Sequence, residues 1–370
     1  MLSILDFLSL YKEYQGNMKS KVLIGMSGGI DSSVAALLLI EEGYTVEGLY
    51  LQNGFPAHAE DDAARIARLL YIPFSVKDVR LDFDQNIIDY FVSAYSAGET
   101  PNPCIVCNKR IKFRYLLEEA RSRDIDHIAT GHYARVEKAE EGYHLRRGVD
   151  RGKDQSYFLY QLGQEELSRI IFPNGNRVKK TVQAIGRDRG LTAGTKNESQ
   201  EICFVNDNDY RPFVEKRMPR GFFSPGSIIT EDGTRVGTHR GIHSVTIGQR
   251  RGLNIASERP YYVIGIDGAR NEVIVGRAEE QYCESCVVAN LSWTVARYGK
   301  EDSFRARVYI RYRHRGVGAV VNRHPGDISS RMVTFDAPQK AVAPGQAAVF
   351  YRDDTVIGGG WITHGVRHAP

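Results

Sequence analysis

The sequence predicts an α/β protein in which a doubly wound parallel sheet is followed by β-rich domains. Two observations indicate this fold. From Lys21 to about residue 79, short apolar runs alternate with segments of helical period, which is typical of parallel strands joined by crossover helices. After Cys203, short segments separated by glycine turns replace the helical pattern. At about 150 residues per domain, a chain of 370 residues has room for both parts.

The first half of the chain is assigned element by element. Alternating strands and helices are predicted, in order, at 21–26, 31–43, 44–51, 59–72 and 73–79. The helical stretch Lys109–Arg123 and the apolar run Ile125–Thr130 add a further helix and strand. We therefore expect the sheet domain to cover residues 21–205.

The rest of the chain is predicted to form two smaller domains. Residues 206–284 form a small β-rich central domain, and residues 285–370 form a C-terminal β-barrel of antiparallel strands. The expected barrel strands fall at 304–316, 319–323, 331–336 and 347–362. Residues 1–20 are an N-terminal extension that lacks the basic start and cleavage site of a signal peptide.

Composition excludes several classes of protein. Hydrophobic residues make up 42% and charged residues 25% of the chain, which fits neither a disordered nor a membrane protein. No apolar run approaches the roughly 20 residues that span a bilayer. The five cysteines are sparse and odd in number, which argues against a disulfide framework and favours a reducing, cytoplasmic location.

The positive charge is concentrated near the C-terminus. Residues 281–370 carry 12 basic and 7 acidic residues, whereas the whole chain has a net charge of only +4. Between Phe304 and Gly316 five arginines occupy alternate positions, which predicts one strand face lined with guanidinium groups. A solvated face is the alternative, but a row of arginines without an acid favours contact with phosphates.

A glycine-rich turn follows the first predicted strand. The segment Gly25–Ser33 contains two adjacent glycines, whose backbone N–H groups can approach a phosphate at the N-terminus of the next helix. Serine hydroxyls add donors, and Asp31 could contact Mg²⁺ bridging it to the phosphate. The turn lacks both the Walker ending and the dinucleotide-binding glycine spacing, so those two classes are disfavoured.

The cysteines fall into two groups. Cys104 and Cys107 lie in a proline-rich segment, predicted to be a loop, that leads into a basic helix; Cys203 follows much later. These three could be inert buried thiols, an incomplete zinc site or a sulfur-handling site. Cys283 and Cys286 lack a second pair of ligands and are interpreted as structural.

Several motifs together resemble one known family. SGGIDS, TPNPCIVC, ATGHYARV, KDQSYFLYQL, ESQEICFV and RYRHR occur in the order found in tRNA-specific 2-thiouridylases of the bacterial and mitochondrial type. The resemblance covers nearly the whole chain after Lys21 and implies an adenine nucleotide α-hydrolase-like sheet domain. It also implies a transferase of the ATP pyrophosphatase superfamily, which adenylates the C2 oxygen of the wobble uridine and displaces AMP with sulfur.

The resemblance assigns roles to particular residues. Cys203 carries a persulfide sulfur, and Cys107 completes the transfer by forming a disulfide with it. The implied ATP contacts are Gly25, Met26, Ser27, Gly28, Gly29, Ile30, Asp31, Ser32, Leu51 and Gly131. The implied tRNA contacts are Asn102, Pro103, Cys104, His132, Lys153, Asp154, Gln155, Arg311, Tyr312 and Gln346. Two positions depart from the family pattern, since Leu51 replaces the usual Met and Cys104 replaces the Asp of many relatives.

Two alternatives to this mechanism stay open at the level of sequence. Cys104, Cys107 and Cys203 could hold an iron–sulfur cluster that binds the incoming sulfide. The chain could also be another ATP pyrophosphatase that adenylates a different acceptor. The expected cofactors are ATP and Mg²⁺. The expected partners are tRNA and a sulfur donor, such as a cysteine desulfurase or a sulfur-relay protein, and no membrane.

Overall fold

The structure of this chain, a computed structural model, describes residues 19–55, 59–191, 202–205, 209–219 and 221–367. Most of the predicted N-terminal extension therefore lies outside the described residues; Lys19 and Ser20 begin the first strand. The chain divides into two compact units, each made of several separate stretches of sequence. The described residues of Met1–Leu81, Asn108–Leu159 and Gln164–Ser199 form the first, and those of Asp82–Cys107, Tyr160–Gly163 and Gln200–Pro370 form the second.

A five-stranded parallel sheet forms the centre of the first unit and confirms the predicted fold class. Its strands are β1 Lys19–Gly25, β2 Tyr44–Gln52, β3 Phe74–Asp78, β4 His127–Ala129 and β7 Ile170–Ile171. They lie in the order β3-β2-β1-β4-β7, and every pairing is parallel. An antiparallel hairpin, β5 Ala134–Ala139 and β6 Gly142–Arg147, lies between β4 and β7 in sequence.

The described helices are short, and four of them adjoin one of two wider π-helical segments. The α-helices are α1 Ile30–Glu41, α2 Ala59–Leu69, α3 Arg80–Phe83, α4 Asp89–Ser96, α5 Pro103–Cys107, α6 Arg114–Ser122, α7 Gln164–Leu167, α8 Lys179–Asp188, α9 Arg211–Arg217 and α10 Arg297–Lys300. The π-helical segments are Asp84–Ile88 and Asn108–Phe113, and the 3₁₀ turns are Ser156–Leu159, Pro173–Asn176, Ile242–Ser244 and Ala278–Gln281. Within the described ranges, no helix is long and apolar enough to cross a membrane.

Helix α1 is buried because it packs against both the sheet and α8. Its residues from Ser32 to Leu39 are all buried, and Val34, Ala35 and Leu39 expose none of their surface. The nearly continuous apolar run in the sequence therefore reflects burial on several sides rather than on one face. This packing fixes the N-terminus of α1 at the carboxyl end of β1.

The second unit contains a small mixed sheet and a barrel. The mixed sheet consists of β8 Gly226–Thr230, β9 Arg235–His239, β10 Tyr262–Asp267 and β11 Glu272–Gly276. Its order is β10-β11-β8-β9, with β8 and β11 parallel to each other. Apolar residues of three of its strands, Ile228, Val263 and Val273, are almost fully buried in its core.

The C-terminal strands close into the predicted β-barrel. They are β12 Tyr282–Ser292, β13 Ser303–Tyr309, β14 Val317–His324, β15 Asp327–Lys340, β16 Ala347–Arg352 and β17 Thr355–Arg367. The order β12-β15-β14-β13-β16-β17 is antiparallel throughout, and β17 also pairs with β12. Cys283 and Cys286 are 7% and 0% exposed in the barrel core, where they pack with its apolar side chains.

The arginine-bearing strand ends earlier than predicted. β13 stops at Tyr309, so of the five arginines only Arg305 and Arg307 lie on its exposed face. The remaining three arginines follow the strand, in the connection to β14. Arg313 there has a φ of 66°, which lies outside the extended region that a strand requires. The prediction of five guanidinium groups in one strand row is therefore wrong.

Candidate functional site

The glycine-rich turn connects β1 to α1 and is held by its own serines. The hydroxyls of Ser32 and Ser33 each donate a hydrogen bond to the carbonyl of Gly29 at 3.0 Å. Gly28 has a φ of 72°, and a Cβ there would lie 2.6 Å from the carbonyl oxygen of Ala59. Glycine is therefore required at this position. Ser32 and Ser33 are buried, so their hydroxyls stabilise the turn, while Ser27 is exposed.

The turn lies where the strand order of the sheet reverses. β1 is central, and the chain proceeds to β2 on one side and later to β4 on the other. The loop after β4 contacts the first turn of α1, because a Cβ on Gly131 would lie 2.7 Å from the backbone nitrogen of Ser32. Leu51 is near the carboxyl end of β2, beside β1. In sheets of this kind, ligands bind at this crevice.

Asp31, in the first turn of α1, has three partners that the sequence analysis did not identify. Its carboxylate accepts hydrogen bonds from Tyr133 Oη at 2.7 Å and from Lys179 Nζ at 2.8 and 2.7 Å. The side-chain amide of Asn174 donates to the backbone carbonyls of Asp31 and Gly131 at 2.9 and 3.0 Å. These partners lie more than 100 residues from Asp31 in sequence, so no local motif could reveal them.

This arrangement does not fit direct coordination of Mg²⁺ by Asp31. Both carboxylate oxygens contact the Lys179 ammonium group, and Mg²⁺ prefers several oxygen ligands without a competing cation. Among the residues that the structure describes, no group of three or more His, Cys, Asp or Glu side chains is placed to hold a metal ion. The charge of Asp31 is balanced by lysine in this geometry.

The Lys153–Gln155 segment has an internal role in the first unit. The Asp154 carboxylate is buried and accepts hydrogen bonds from Arg147 Nε at 2.8 Å and from the backbone nitrogen of Gly148 at 3.0 Å. Gln155 Oε1 accepts a hydrogen bond from the backbone nitrogen of Tyr133 at 3.0 Å. Asp154 and Gln155 therefore stabilise the loop next to Tyr133, while Lys153 is half-buried.

His132 lies in the loop after β4 between two aromatic rings. Its ring centroid is 5.8 Å from that of Phe113 and 6.0 Å from that of Phe172, and its Nδ1 is 2.7 Å from the Thr130 hydroxyl. Desolvation in this surrounding, with a smaller effect of the Lys112 charge, lowers the pKa of His132 to about 3. The imidazole is therefore neutral at physiological pH and can act only through hydrogen bonds or stacking.

The segment containing Cys104 and Cys107 is helical rather than the predicted loop. Helix α5 starts at Pro103, and the helical backbone continues beyond Cys107 into the π-helical segment Asn108–Phe113. Proline is compatible with the first turn of a helix, because its missing N–H has no intrahelical acceptor there. Cys104 is half-buried and Cys107 is 8% exposed.

Gln346 contacts the residues that precede α5. Its Nε2 donates to the carbonyl oxygens of Thr100 at 2.9 Å and Pro101 at 3.4 Å, and the Thr100 nitrogen donates to the carbonyl of Pro344 at 2.8 Å. Asn102 and Pro103 follow directly and are buried. The structure thus brings together two of the sequence regions for which tRNA contacts are implied.

The other implied tRNA residues of the second unit lie in the turn after β13. Arg311 and Tyr312 are half-buried there, and Arg311 Nη1 donates to the carbonyl of Lys340 at 3.2 Å. The Arg313 guanidinium lies 5.9 Å from the centroid of the Tyr312 ring. Because neither residue belongs to β13, the alternation of a strand does not determine which way each side chain faces.

Cys203 is exposed and is held in place by its neighbour Phe204. The Phe204 ring contacts Phe83 and Phe91 at centroid distances of 5.9 and 5.1 Å. These two phenylalanines flank the π-helical segment Asp84–Ile88, and α5, which carries Cys107, packs against that same segment. The segments bearing Cys107 and Cys203 therefore pack on one helical element of the second unit.

The cysteine arrangement does not fit an iron–sulfur cluster. All five cysteines are present as thiols. Cys104, Cys107 and Cys203 are all within the described part of the chain, yet they do not form a group of three metal-ligating side chains. A cluster held by Cys104, Cys107 and Cys203 would need these thiolates close together around the iron atoms.

Comparison with known proteins identifies the family. The chain matches three family models in succession: the tRNA methyl transferase HUP domain over residues 20–207, the tRNA methyl transferase PRC-barrel domain over 211–277 and the aminomethyltransferase beta-barrel domain over 283–362. It is 47% identical over 339 residues to the tRNA-specific 2-thiouridylase MnmA 2 of Syntrophus aciditrophicus, covering 87% of this chain and 99% of that protein. It is 44% identical over 361 residues to the tRNA-specific 2-thiouridylase MnmA of Geobacter metallireducens, covering 93% and 97%. This chain therefore belongs to the tRNA-specific 2-thiouridylase family.

Proposed function

We propose that this enzyme converts the wobble uridine of tRNA to 2-thiouridine, using ATP to activate the C2 oxygen and a cysteine persulfide to supply the sulfur. Membership of the family supports the reaction and the transferase class. The fold supports ATP as the activating substrate, because the glycine-rich turn and the N-terminus of α1 offer backbone N–H groups at the switch point of a parallel sheet.

The first step makes the C2 oxygen a leaving group. The turn of Gly25–Ser32 and the first turn of α1 hold the phosphates of ATP, and Leu51 and Gly131 border the crevice. The C2 oxygen attacks the α-phosphorus, the bond to the β-phosphate oxygen breaks, and pyrophosphate leaves. The N3 proton of uracil is lost to solvent or base. Mg²⁺ bound to ATP would supply charge neutralisation for the departing pyrophosphate.

The second step exchanges oxygen for sulfur. A persulfide-carrying donor protein transfers a sulfur atom to Cys203, whose exposed position allows this exchange. The terminal sulfur attacks C2, and AMP leaves with the original oxygen. The Cys107 thiolate then attacks the Sγ of Cys203, the S–S bond to the nucleotide breaks, and 2-thiouridine is released. A thiol reductant opens the resulting Cys107–Cys203 disulfide.

The remaining site residues are proposed to hold tRNA. Asn102, Pro103 and Cys104 lie at the start of the helix that carries Cys107, and we assign them to the surroundings of the target base. Neutral His132 and the Lys153 side chain add contacts from the first unit. Arg311, Tyr312 and the other arginines after β13 contact the phosphate backbone. We further propose a cytoplasmic location, where tRNA is available and thiols stay reduced.

The observation that carries this proposal is the packing of the Cys107 and Cys203 segments on one helical element. The test incubates the protein with ATP, Mg²⁺, a persulfide-loaded donor and unmodified tRNA, and measures pyrophosphate and the nucleoside masses. We expect tRNA-dependent pyrophosphate release and 2-thiouridine from the wild-type chain. Cys203→Ser and Cys107→Ser should lose the thiolated product but still release pyrophosphate, because adenylation precedes sulfur transfer.

The control for these variants is Cys283→Ser, which alters the barrel core and should keep the product. Thiolation by both Cys107→Ser and Cys203→Ser would contradict the persulfide route. A methylated nucleoside in place of a thiolated one would contradict the proposed reaction itself. Iron and acid-labile sulfide are also measured on protein purified without oxygen. If the active protein contains iron, and Cys104→Ser loses that iron, the result would favour the iron–sulfur cluster instead.

A further inference from the structure

We propose that Lys179 is a positioning residue for ATP: it cancels the charge of Asp31 so that the N-terminus of α1 can accept a triphosphate. This inference rests on the proposed use of ATP and extends it to a residue outside the glycine-rich turn. The pair joins the first turn of α1 to the first residue of α8. Neither Lys179 nor its helix forms part of a recognisable nucleotide motif.

Asp31 lies where its charge opposes the binding of a polyanion. It is the second residue of α1, directly after the turn that faces the phosphates. The N-terminus of a helix attracts anions through its N–H groups and dipole, but an uncompensated carboxylate in that turn would repel the phosphates. Something must neutralise this carboxylate before a polyanion binds.

The side chain of Lys179 is positioned to neutralise Asp31. Lys179 Nζ contacts both oxygens of the Asp31 carboxylate, at 2.8 and 2.7 Å, and the lysine side chain is only 7% exposed. Tyr133 Oη donates to the same carboxylate at 2.7 Å and fixes its orientation. A buried ammonium group with bidentate contact neutralises the carboxylate far better than an exposed, mobile lysine would.

The positive charge of Lys179 does not stabilise its own helix, α8. Lys179 is the first residue of α8, where a positive side chain opposes the helix dipole. The N-terminus of α8 has its own acidic partner, because the Lys179 backbone nitrogen donates to Asp150 Oδ2 at 2.9 Å. The side chain of Lys179 is therefore placed for Asp31 and the nucleotide turn, whereas its neighbour Lys180 is exposed.

The test separates charge neutralisation from folding. KM for ATP, kcat and KM for tRNA are measured for the full chain and for Lys179→Met, Asp31→Asn/Lys179→Met and Lys180→Met. Lys179→Met leaves the Asp31 charge uncompensated, so we expect KM for ATP to rise by roughly tenfold or more, equivalent to about 1.4 kcal/mol. KM for tRNA should not change. The double variant contains neither charge and should recover most of the lost ATP affinity.

The matched control is Lys180→Met, which removes an exposed lysine from the same helix and should leave KM for ATP unchanged. Equal effects of Lys179→Met and Lys180→Met would overturn the inference. The inference would also be overturned if the double variant bound ATP as weakly as Lys179→Met does. That result is expected if Asp31 acts as a metal ligand. If Lys179→Met fails to fold, Lys179→Arg, which keeps the positive charge, is compared with Lys179→Gln, and an equal KM for ATP in these two variants would also overturn the inference. Absence of thiolation by the wild-type chain would instead refute the proposed function.

Discussion

The side-chain amide of Gln346 donates a hydrogen bond to the carbonyl oxygen of Thr100 at 2.9 Å, across 246 residues of sequence. Thr100 lies three residues before α5, the helix that carries Cys104 and Cys107. Gln346 belongs to the loop between β15 and β16 of the barrel. A residue for which the resemblance implies a tRNA contact thus also supports the start of the cysteine-bearing helix within the second unit.

We predict that Gln346→Ala lowers the rate of thiolation as well as the affinity for tRNA. The loss of the hydrogen bond should cost about 1 kcal/mol of stability and loosen the Thr100–Pro103 segment. The measurement is a single-turnover time course at saturating tRNA, where weaker binding alone has no effect. A wild-type rate under these conditions would show that Gln346 serves only in tRNA binding.

The five thiols should differ in reactivity according to their exposure. Cys203 is exposed, whereas burial raises the pKa of both Cys283 and Cys286 and keeps them protonated at neutral pH. Iodoacetamide should therefore modify Cys203 first and should reach the two barrel cysteines only after denaturation. Peptide mass spectrometry at several times gives the order. Early modification of Cys286 in native protein would contradict the barrel packing described above.

His132 should make the protein less stable in acid. Its pKa falls from 6.5 to about 3 on folding, so the unfolded chain binds a proton that the folded chain does not. The resulting stability is present above about pH 6.5 and is lost as the pH falls towards 3. We therefore expect the free energy of unfolding, measured by urea titration, to fall less for His132→Gln than for wild type between about pH 7 and about pH 4.5. His364→Gln, the same substitution at an exposed position, is the control, and an equal effect of the two variants would contradict the role of His132.

Asp154 and Lys153 are adjacent but should respond differently to substitution. Asp154→Asn removes the carboxylate that pairs with Arg147, and the loss of charge from this buried pair should cost about 3 kcal/mol in the free energy of unfolding. Lys153→Ala should cost less than about 0.5 kcal/mol and should instead weaken tRNA binding. Equal unfolding free energies for the two variants would contradict the internal role assigned to Asp154.

The arginines in and after β13 should contribute unequally to the salt dependence of tRNA binding. Arg305 pairs with Asp336 at 2.6 Å, whereas Arg315 is exposed in the turn. Arg315→Ala should reduce the slope of log K against log salt by about 1, the value for one phosphate contact. Arg305→Ala should reduce it less, because its charge is already balanced. Binding titrations at several potassium chloride concentrations distinguish the two, and equal slopes would exclude this difference.

The parallel sheet and the nucleotide turn were predictable because local patterns determine them. Apolar runs separated by helical periods mark β1 to β4, and adjacent glycines before α1 mark a tight turn. Helix α5 was missed because prolines usually interrupt helices, although Pro103 is compatible with the first turn. The early end of β13 was missed because the arginines continue to alternate in the sequence after the strand has ended at Tyr309.

The partners of Asp31 could not be predicted from the sequence. Lys179, Tyr133 and Asn174 meet only because β4, α8 and the 3₁₀ turn Pro173–Asn176 lie around the carboxyl end of β1. Hydrophobic periodicity specifies that such elements exist, but it does not specify which polar side chains face each other across them. The division into two units was also hidden, because each unit combines distant stretches of chain.

The π-helical segment Asp84–Ile88 has a consequence for how related chains are aligned. Phe83 and Phe91 are eight residues apart, which in a regular α-helix leaves them about 80° apart around the axis. The wider turn accommodates one additional residue and returns both rings to the face that contacts Phe204. A homologue that is one residue shorter in this segment would present the same aromatic face from a regular α-helix. In a sequence alignment, a single-residue gap should therefore be placed within 84–88, and the packing around Cys203 would be unchanged.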